Sequence, residues 1–160
     1  MSRVLFYWFI AIITGITVVL LLTIMSATLL HNQLSQNLNT QRLQIGESVI
    51  SVEIADTSIK QIKGLSGRDS LAADSGMLFV YNAPTKNHFW MKDMKFALDF
   101  IWIINGQVIQ LDQNIAPPIT SADEPSRIYP QDYYDMVLEV SAGWIATKQI
   151  KVGDMVKLLQ

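Results

Sequence analysis

His88-Phe89-Trp90-Met91-Lys92-Asp93 sets a candidate general base, an aromatic platform and two opposite charges within one short stretch. Extended backbone alternates its side chains, so His88, Trp90 and Lys92 share one side while Phe89, Met91 and Asp93 share the other. Trp90 with Lys92 suits the flat face of a sugar or a carboxylate-bearing ligand, because an exposed indole is an apolar plane edged by a donor. A core tryptophan beside a surface lysine is the plain structural alternative.

Two carboxylates stand in greasy surroundings. Asp99 shares strand parity with Ala97, Ile101 and Ile103, and the opposite parity holds Leu98, Phe100, Trp102 and Ile104, so both sides are apolar and the carboxylate is expected to be buried. A buried charge without a partner costs several kcal/mol or shifts its pKa, which calls for a donor, with Arg68 or Lys92 the natural choices. Such a pair could equally be internal and fix the Gly64 to Arg68 turn against the sheet. Glu139 shares a face with Val137 and Ser141; it is solvated if that face is open, and forms a charged cleft if it points toward Arg68 or Lys92. The ligand-binding candidates are therefore Arg68, Trp90, Lys92, Asp93, Asp99 and Glu139.

Other chemistry is poorly supplied. His31 and His88 are the two histidines and cysteine is absent, so no zinc or copper ligand set can be built from those types and no cofactor is implied. Asp112, Asn114, Asp123 and Glu124 match no calcium-loop spacing. No Gly-x-Ser-x-Gly elbow occurs, and a Ser66, His88, Asp99 triad rests on residue types alone. An envelope hydrolase using His88 or a carboxylate is the catalytic alternative to a binding or accessory domain, and a purely structural domain is the third reading.

These residues have to be positioned by a chain that begins with an uncharged apolar run from Val4 to Leu30, preceded by Arg3 and followed by no arginine until Arg42. At about 1.5 Å per residue that run reaches roughly 40 Å as a helix, enough to cross a hydrocarbon core of about 30 Å. It far exceeds the ~7–15 apolar residues of a signal peptide, and Met25 stands where a cleavage site wants a small side chain, so an uncleaved anchor is expected over a cleaved signal. Arg3 and the chain amine ahead of the run, with no Lys or Arg from His31 to Gln41, are expected to keep the amino end cytoplasmic and turn the remainder outward. The expected organisation is a cytoplasmic tip (1–3), a transmembrane helix (4–30), an Asn- and Gln-rich polar spacer (31–44) and a β-rich extracytoplasmic domain (45–160).

The fourteen acidic residues all follow Gly46 and meet ten Lys and Arg there, leaving that domain at −4. This is not the electrostatic footprint of a nucleic-acid binder. The membrane is the expected partner, with an envelope ligand or a protein partner beside it.

Ser48 to Ala55 alternates as a half-buried strand, Thr57 or Ser58 can cap a short helix ended by Gly64 and Gly67, and Met77 to Tyr81 is an apolar strand stopped at Pro84. Ala97 to Ile104, Asn105-Gly106 and Gln107 to Leu111 form a hairpin, since Asn-Gly supplies the positive φ angles of a two-residue turn. Pro117, Pro118, Pro125 and Pro130 make Ala116 to Gln131 a long irregular connection. Met136 to Ser141, a turn of helix over Gly143 to Gln149 and a last strand from Met155 complete the pattern. The fold expected is mainly β, an antiparallel sandwich or partly closed barrel with one or two short helices, preceded by the N-terminal transmembrane helix.

Eight phrases in order carry a further signal: Gly64-Leu65-Ser66-Gly67-Arg68, Gly76-Met77-Leu78-Phe79, Phe89-Trp90-Met91-Lys92, Leu98-Asp99, Ala116-Pro117-Pro118, Val137-Leu138-Glu139-Val140, Ala142-Gly143-Trp144 and Val152-Gly153-Asp154. Together, over Val49 to Leu158, they resemble the domain of unknown function 192 family, small prokaryotic proteins often preceded by a signal or anchor segment. The resemblance implies a mainly β, sandwich-like fold with a helix near the Arg68 phrase, and no established activity, cofactor or partner. Ser66 stands where the family commonly has Met, and Asp93-Met94 where it commonly has Asn-Thr, which changes the charge beside Lys92.

Overall fold

The computed structural model describes residues 3–37, 40–120 and 123–159. The chain divides into two units, 1–39 and 40–160. In the first, α1 (Arg3–Asn37) is continuous helix, and its stretch Ile12–Leu30 is long and apolar enough to cross a membrane. Length and composition of this kind suit an anchor and a signal sequence alike. The hydroxyls of Thr17, Thr23, Ser26 and Thr28 donate to carbonyls three residues back, which satisfies them within the helix.

The second unit is mainly β. Its strands are β1 (Thr40–Ile45), β2 (Ser48–Ala55), β3 (Ser75–Thr85), β4 (Phe89–Trp90), β5 (Leu98–Ile104), β6 (Gln107–Ile115), β7 (Arg127–Ile128), β8 (Tyr134–Ser141) and β9 (Val156–Leu159), with short helices α2 (Ser58–Lys63) and α3 (Trp144–Lys148). Seven strands form one sheet in the order β6-β5-β8-β3-β2-β1-β9, and β4 pairs with β7 apart from it. The sheet curls until its borders meet: Gln107 bridges Met155, Val156 N–H donates to Gly106 at 2.8 Å, and Val108 N–H donates to Asp154 at 2.9 Å. The result is a partly closed barrel.

Within it, β2 and β3 run parallel, joined by α2 as a crossover, while the other pairs are antiparallel. Thr57 caps α2 by accepting from Lys60 N–H at 3.4 Å, and Gln61 Nε2 donates to Val80 O at 2.9 Å, tying the helix to the sheet. Asn105 and Gly106 have φ of 50° and 72°, the turn that the Asn-Gly pair predicts. Two sequence expectations shift. β1 begins at Thr40, inside the stretch read as spacer, and β3 continues through Pro84 because its pairing with β8 is irregular between Val80 and Thr85.

Strand alternation divides the core. One cluster draws Ile45, Val52, Leu78, Ile101, Val108 and Val156 among others from all seven strands, with Trp144 and Ile145 of α3, and fills the inside of the curl. The other lies on the outer face, where Phe79, Phe100, Trp102 and Val137 are covered by Phe89 of β4, Ile128 of β7 and Leu65 after α2. The paired strands β4 and β7 therefore form a strap over the outer face. A polar network holds it: Gln131 N–H donates to Gln110 Oε1 at 2.6 Å, and Gln110 Nε2 and Trp102 Nε1 donate to Asp112 Oδ2 at 2.7 and 2.6 Å.

Candidate functional site

A cavity of about 340 Å³ opens on the outer face between α2 with its following turn, β3 and the β4 strap. Phe79, Phe89 and Met94 wall it, Tyr81 and Glu139 supply polar groups, and Trp90 lies at the mouth, 44% exposed. The sequence builds this by alternation. Phe79 and Tyr81 leave β3 on one side, and Phe89 turns inward where its neighbour Trp90 turns outward.

Glu139 sits in the middle of the sheet, with Met77 of β3 and Phe100 of β5 as its cross-strand neighbours. It is 5% exposed and lines the cavity, and no described side chain or backbone group hydrogen-bonds its carboxyl. Burial pushes its pKa up to about 8, with the nearby Arg68 charge only partly opposing. At neutral pH it is therefore mainly a carboxylic acid. Arg68 acts on it through charge alone; its hydrogen bonds go to Glu53, Nη1–Oε1 at 2.6 Å and Nη2–Oε2 at 2.8 Å. That pairing holds Glu53 below the usual carboxylate range and Arg68 above its own, in each case chiefly through the hydrogen bond.

The mouth is aromatic and basic. His88 stacks on Tyr129 with ring centroids 5.2 Å apart and meets the Trp90 ring edge-on at 6.5 Å. His88 Nε2 lies 3.1 Å from Arg127 Nη1; a guanidinium only donates, so that nitrogen accepts and its lone pair is occupied. Lys92 Nζ sits 5.9 Å from the Trp90 ring centroid, a cation–π contact. Its carbonyl accepts from Ser66 Oγ at 2.8 Å, and the carbonyl of Asp93 accepts from Gly67 N–H at 2.9 Å. Asp93 has φ of 57°, a left-handed conformation that Asn and Asp tolerate best, so backbone geometry accounts for its type.

Asp99 is elsewhere. It is fully buried as expected, yet its donors are neither Arg68 nor Lys92: Oδ1 accepts from Asn114 N–H at 2.8 Å and Oδ2 from Ile145 N–H at 3.1 Å. It points to the inside of the curl, on the opposite face from Glu139, because the two residues differ in parity. There it serves α3, whose N-cap Gly143 has no side chain to bond the first N–H groups. The Ser66, His88, Asp99 combination is thus not assembled.

Of the six candidates, the cavity takes Trp90 and Glu139; Arg68 stands beside Glu139 through charge, Lys92 beside Trp90, Asp93 knits the turn below, and Asp99 braces the far face. Sequence reading passed over Tyr81, Gln61 and Met94 as lining groups. Tyr81 was legible, since it continues the parity of Met77 and Phe79. Among the described residues, no three His, Asp or Glu side chains gather closely enough to hold a metal ion.

A curled β sheet with a packed interior, and a mostly apolar cavity with an unbonded acid at its floor between its outer face and a strap, defines a small β-barrel-like domain that carries its cavity on the outside. The chain belongs to the domain of unknown function 192 family, DUF192, described as Uncharacterized ACR, whose family model matches residues 41–158. Among solved structures it is similar to a protein of unknown function from Novosphingobium aromaticivorans DSM 12444, with TM-score 0.67 and 28% identity over 74% of this chain and 84% of that one. It is also similar to a Sinorhizobium meliloti 1021 protein provisionally described as a transcription regulator, with TM-score 0.67 and 25% identity over 74% of this chain and 93% of that one. No curated protein matches.

Proposed function

We propose that this chain is a membrane-anchored, extracytoplasmic binding module that takes a small organic ligand in the cavity beneath the β4 strap. The observation that carries the reading is Glu139: a carboxyl 5% exposed, unbonded within the protein, and facing an open cavity of about 340 Å³. Buried polar groups are ordinarily satisfied, so one left open toward a cavity is a place for a ligand's partner group. The anchor reading draws on the apolar length of α1, and the outward orientation on Arg3 ahead of it with no Lys or Arg from His31 to Gln41. The acidic excess of residues 45–160 gives no support to nucleic-acid binding by this domain. A hydrolase is less well supported, with His88 Nε2 engaged by Arg127 and Asp99 on the far face.

Two experiments test this. The full chain in lipid nanodiscs is screened by NMR against phenol, cyclohexanol, benzylamine and N-acetylglucosamine; perturbed resonances should cluster on Phe79, Phe89, Trp90 and Glu139. Trp90→Ala should keep the melting temperature within about 2 °C, because the indole is half exposed, and weaken the fragments that bind. Perturbations confined to other surfaces, or none, end the binding reading. For orientation, alkaline phosphatase fused after Gln160 should be active in cells, and activity of a cytoplasm-dependent reporter there instead would reverse the topology.

A further inference from the structure

We infer that Glu139 anchors an uncharged ring ligand bearing hydroxyl or amide groups, the chemistry of an N-acetylated pyranose, by donating its own carboxyl proton to a ligand oxygen at the floor of the cavity. The inference rests on the binding reading above and gives it a ligand class.

Geometry selects against charge in either sense. A cationic ligand would have to pass Lys63, Lys92 and Arg127 at the mouth. An anionic one, drawn by those same cations, would meet the Glu139 carboxyl at the floor, where the charge of Arg68 is already shared with Glu53 through two hydrogen bonds. The walls are aromatic and aliphatic, which suits the C–H face of a pyranose, and the cavity volume of about 340 Å³ holds such a ring with a substituent.

Met77 of β3 and Phe100 of β5 flank Glu139 across the strands, Arg68 and Tyr81 interact with it through charge, and Leu65 and His88 line the same cavity. Tyr81 is itself raised by burial, so its phenol titrates above the range of Glu139. With the acid at about 8, Glu139 holds its proton through neutral pH and can donate. The donor function disappears when that proton is lost.

The full chain in nanodiscs, titrated with N-acetylglucosamine and followed by the Trp90 indole N–H and the Glu139 amide, tests this. Affinity should be level from pH 5 to 7 and about tenfold weaker at pH 9, one unit above the raised pKa of about 8. Glu139→Gln keeps a donor that cannot ionise, so it should retain binding within about threefold and flatten the profile. Glu139→Leu, with folding checked by its spectrum, should abolish the Glu139-site shifts. Glucosamine at pH 6, where its amine is charged, should bind more weakly. Affinity that rises with pH, a level wild-type profile, preference for glucosamine, or binding that survives Glu139→Leu overturns the inference. If N-acetylglucosamine fails while phenol or cyclohexanol still perturbs the cavity, the ligand class falls and the binding reading stands; if no fragment does, both fall.

Discussion

Glu139 is stabilised in its neutral form, and that has a sign that can be measured. A carboxyl raised from 4.5 to about 8 on folding keeps its proton while the unfolded chain loses one, so stability declines as pH rises from about 4.5 to 8 and is level above that. Over that window the differential is of the order of 4 kcal/mol. Glu139→Gln should therefore raise stability at pH 8 by about 2–4 kcal/mol and leave it nearly unchanged at pH 4.5, read from denaturant melts at both values. Glu53 has the opposite sign: with its pKa lowered by Arg68, its contribution is present above the ordinary carboxylate pKa and is lost as pH falls through the lowered one. Asp99 carries a different burden. Removing its carboxylate strands the N–H groups of Asn114 and Ile145, and Asp99→Ala should cost about 3 kcal/mol in a melt while leaving fragment binding at Trp90 intact. The burial of Asp99 was legible in its apolar neighbours, but its donors were not, because both are main-chain groups from residues distant in sequence.

At the level of elements, alternation decided most of what could be read. Ser48 to Ala55 is β2 residue for residue, the Asn-Gly hairpin stands, and α2 and α3 fall where their caps and glycines put them. β1 was hidden because Thr40, Gln41, Arg42 and Gln44 are polar and its buried residues, Leu43 and Ile45, come at its end. The parallel pairing of β2 with β3 left no local mark, since direction is a property of the crossover. Gly76 does have one: a Cβ there would stand 2.8 Å from Glu139 O and 2.9 Å from Leu138 Cδ1, so β3 and β8 approach as glycine permits. Gly76→Ala should destabilise by about 1–3 kcal/mol through displaced backbone, seen as a lower denaturation midpoint. Besides its packing, the strap is bonded at Tyr129 O and Gln131 N–H by the Gln110 side-chain amide. Gln110→Leu should speed amide exchange at Gln131 by at least tenfold, with little change in β5 and β8, and equal exchange would show that the strap is held by its packing alone.

For the molecule as a whole, β1 settles where the folded domain starts. Its partners are β2 on one side and β9 on the other, so it is an interior strand of the sheet. A protein beginning at Thr40 should fold with a melting temperature within about 3 °C of the full chain's β domain, whereas one beginning at Ile45 should lose the docking of β9 and be largely unfolded at 37 °C; equal melting of the two would make β1 dispensable. The place of the cavity emerged at this scale alone. Trp90 and Glu139 are far apart in sequence, and the sheet order together with the strap brings them to one opening.

The meeting of the sheet's two margins, where Gln107 faces Met155, also bears on how many such proteins can stand side by side. Open sheet margins recruit neighbouring chains, and a high local concentration multiplies the encounters. Here each margin is partly occupied by the other, so crowding alone does not open a route to strand-by-strand polymerisation.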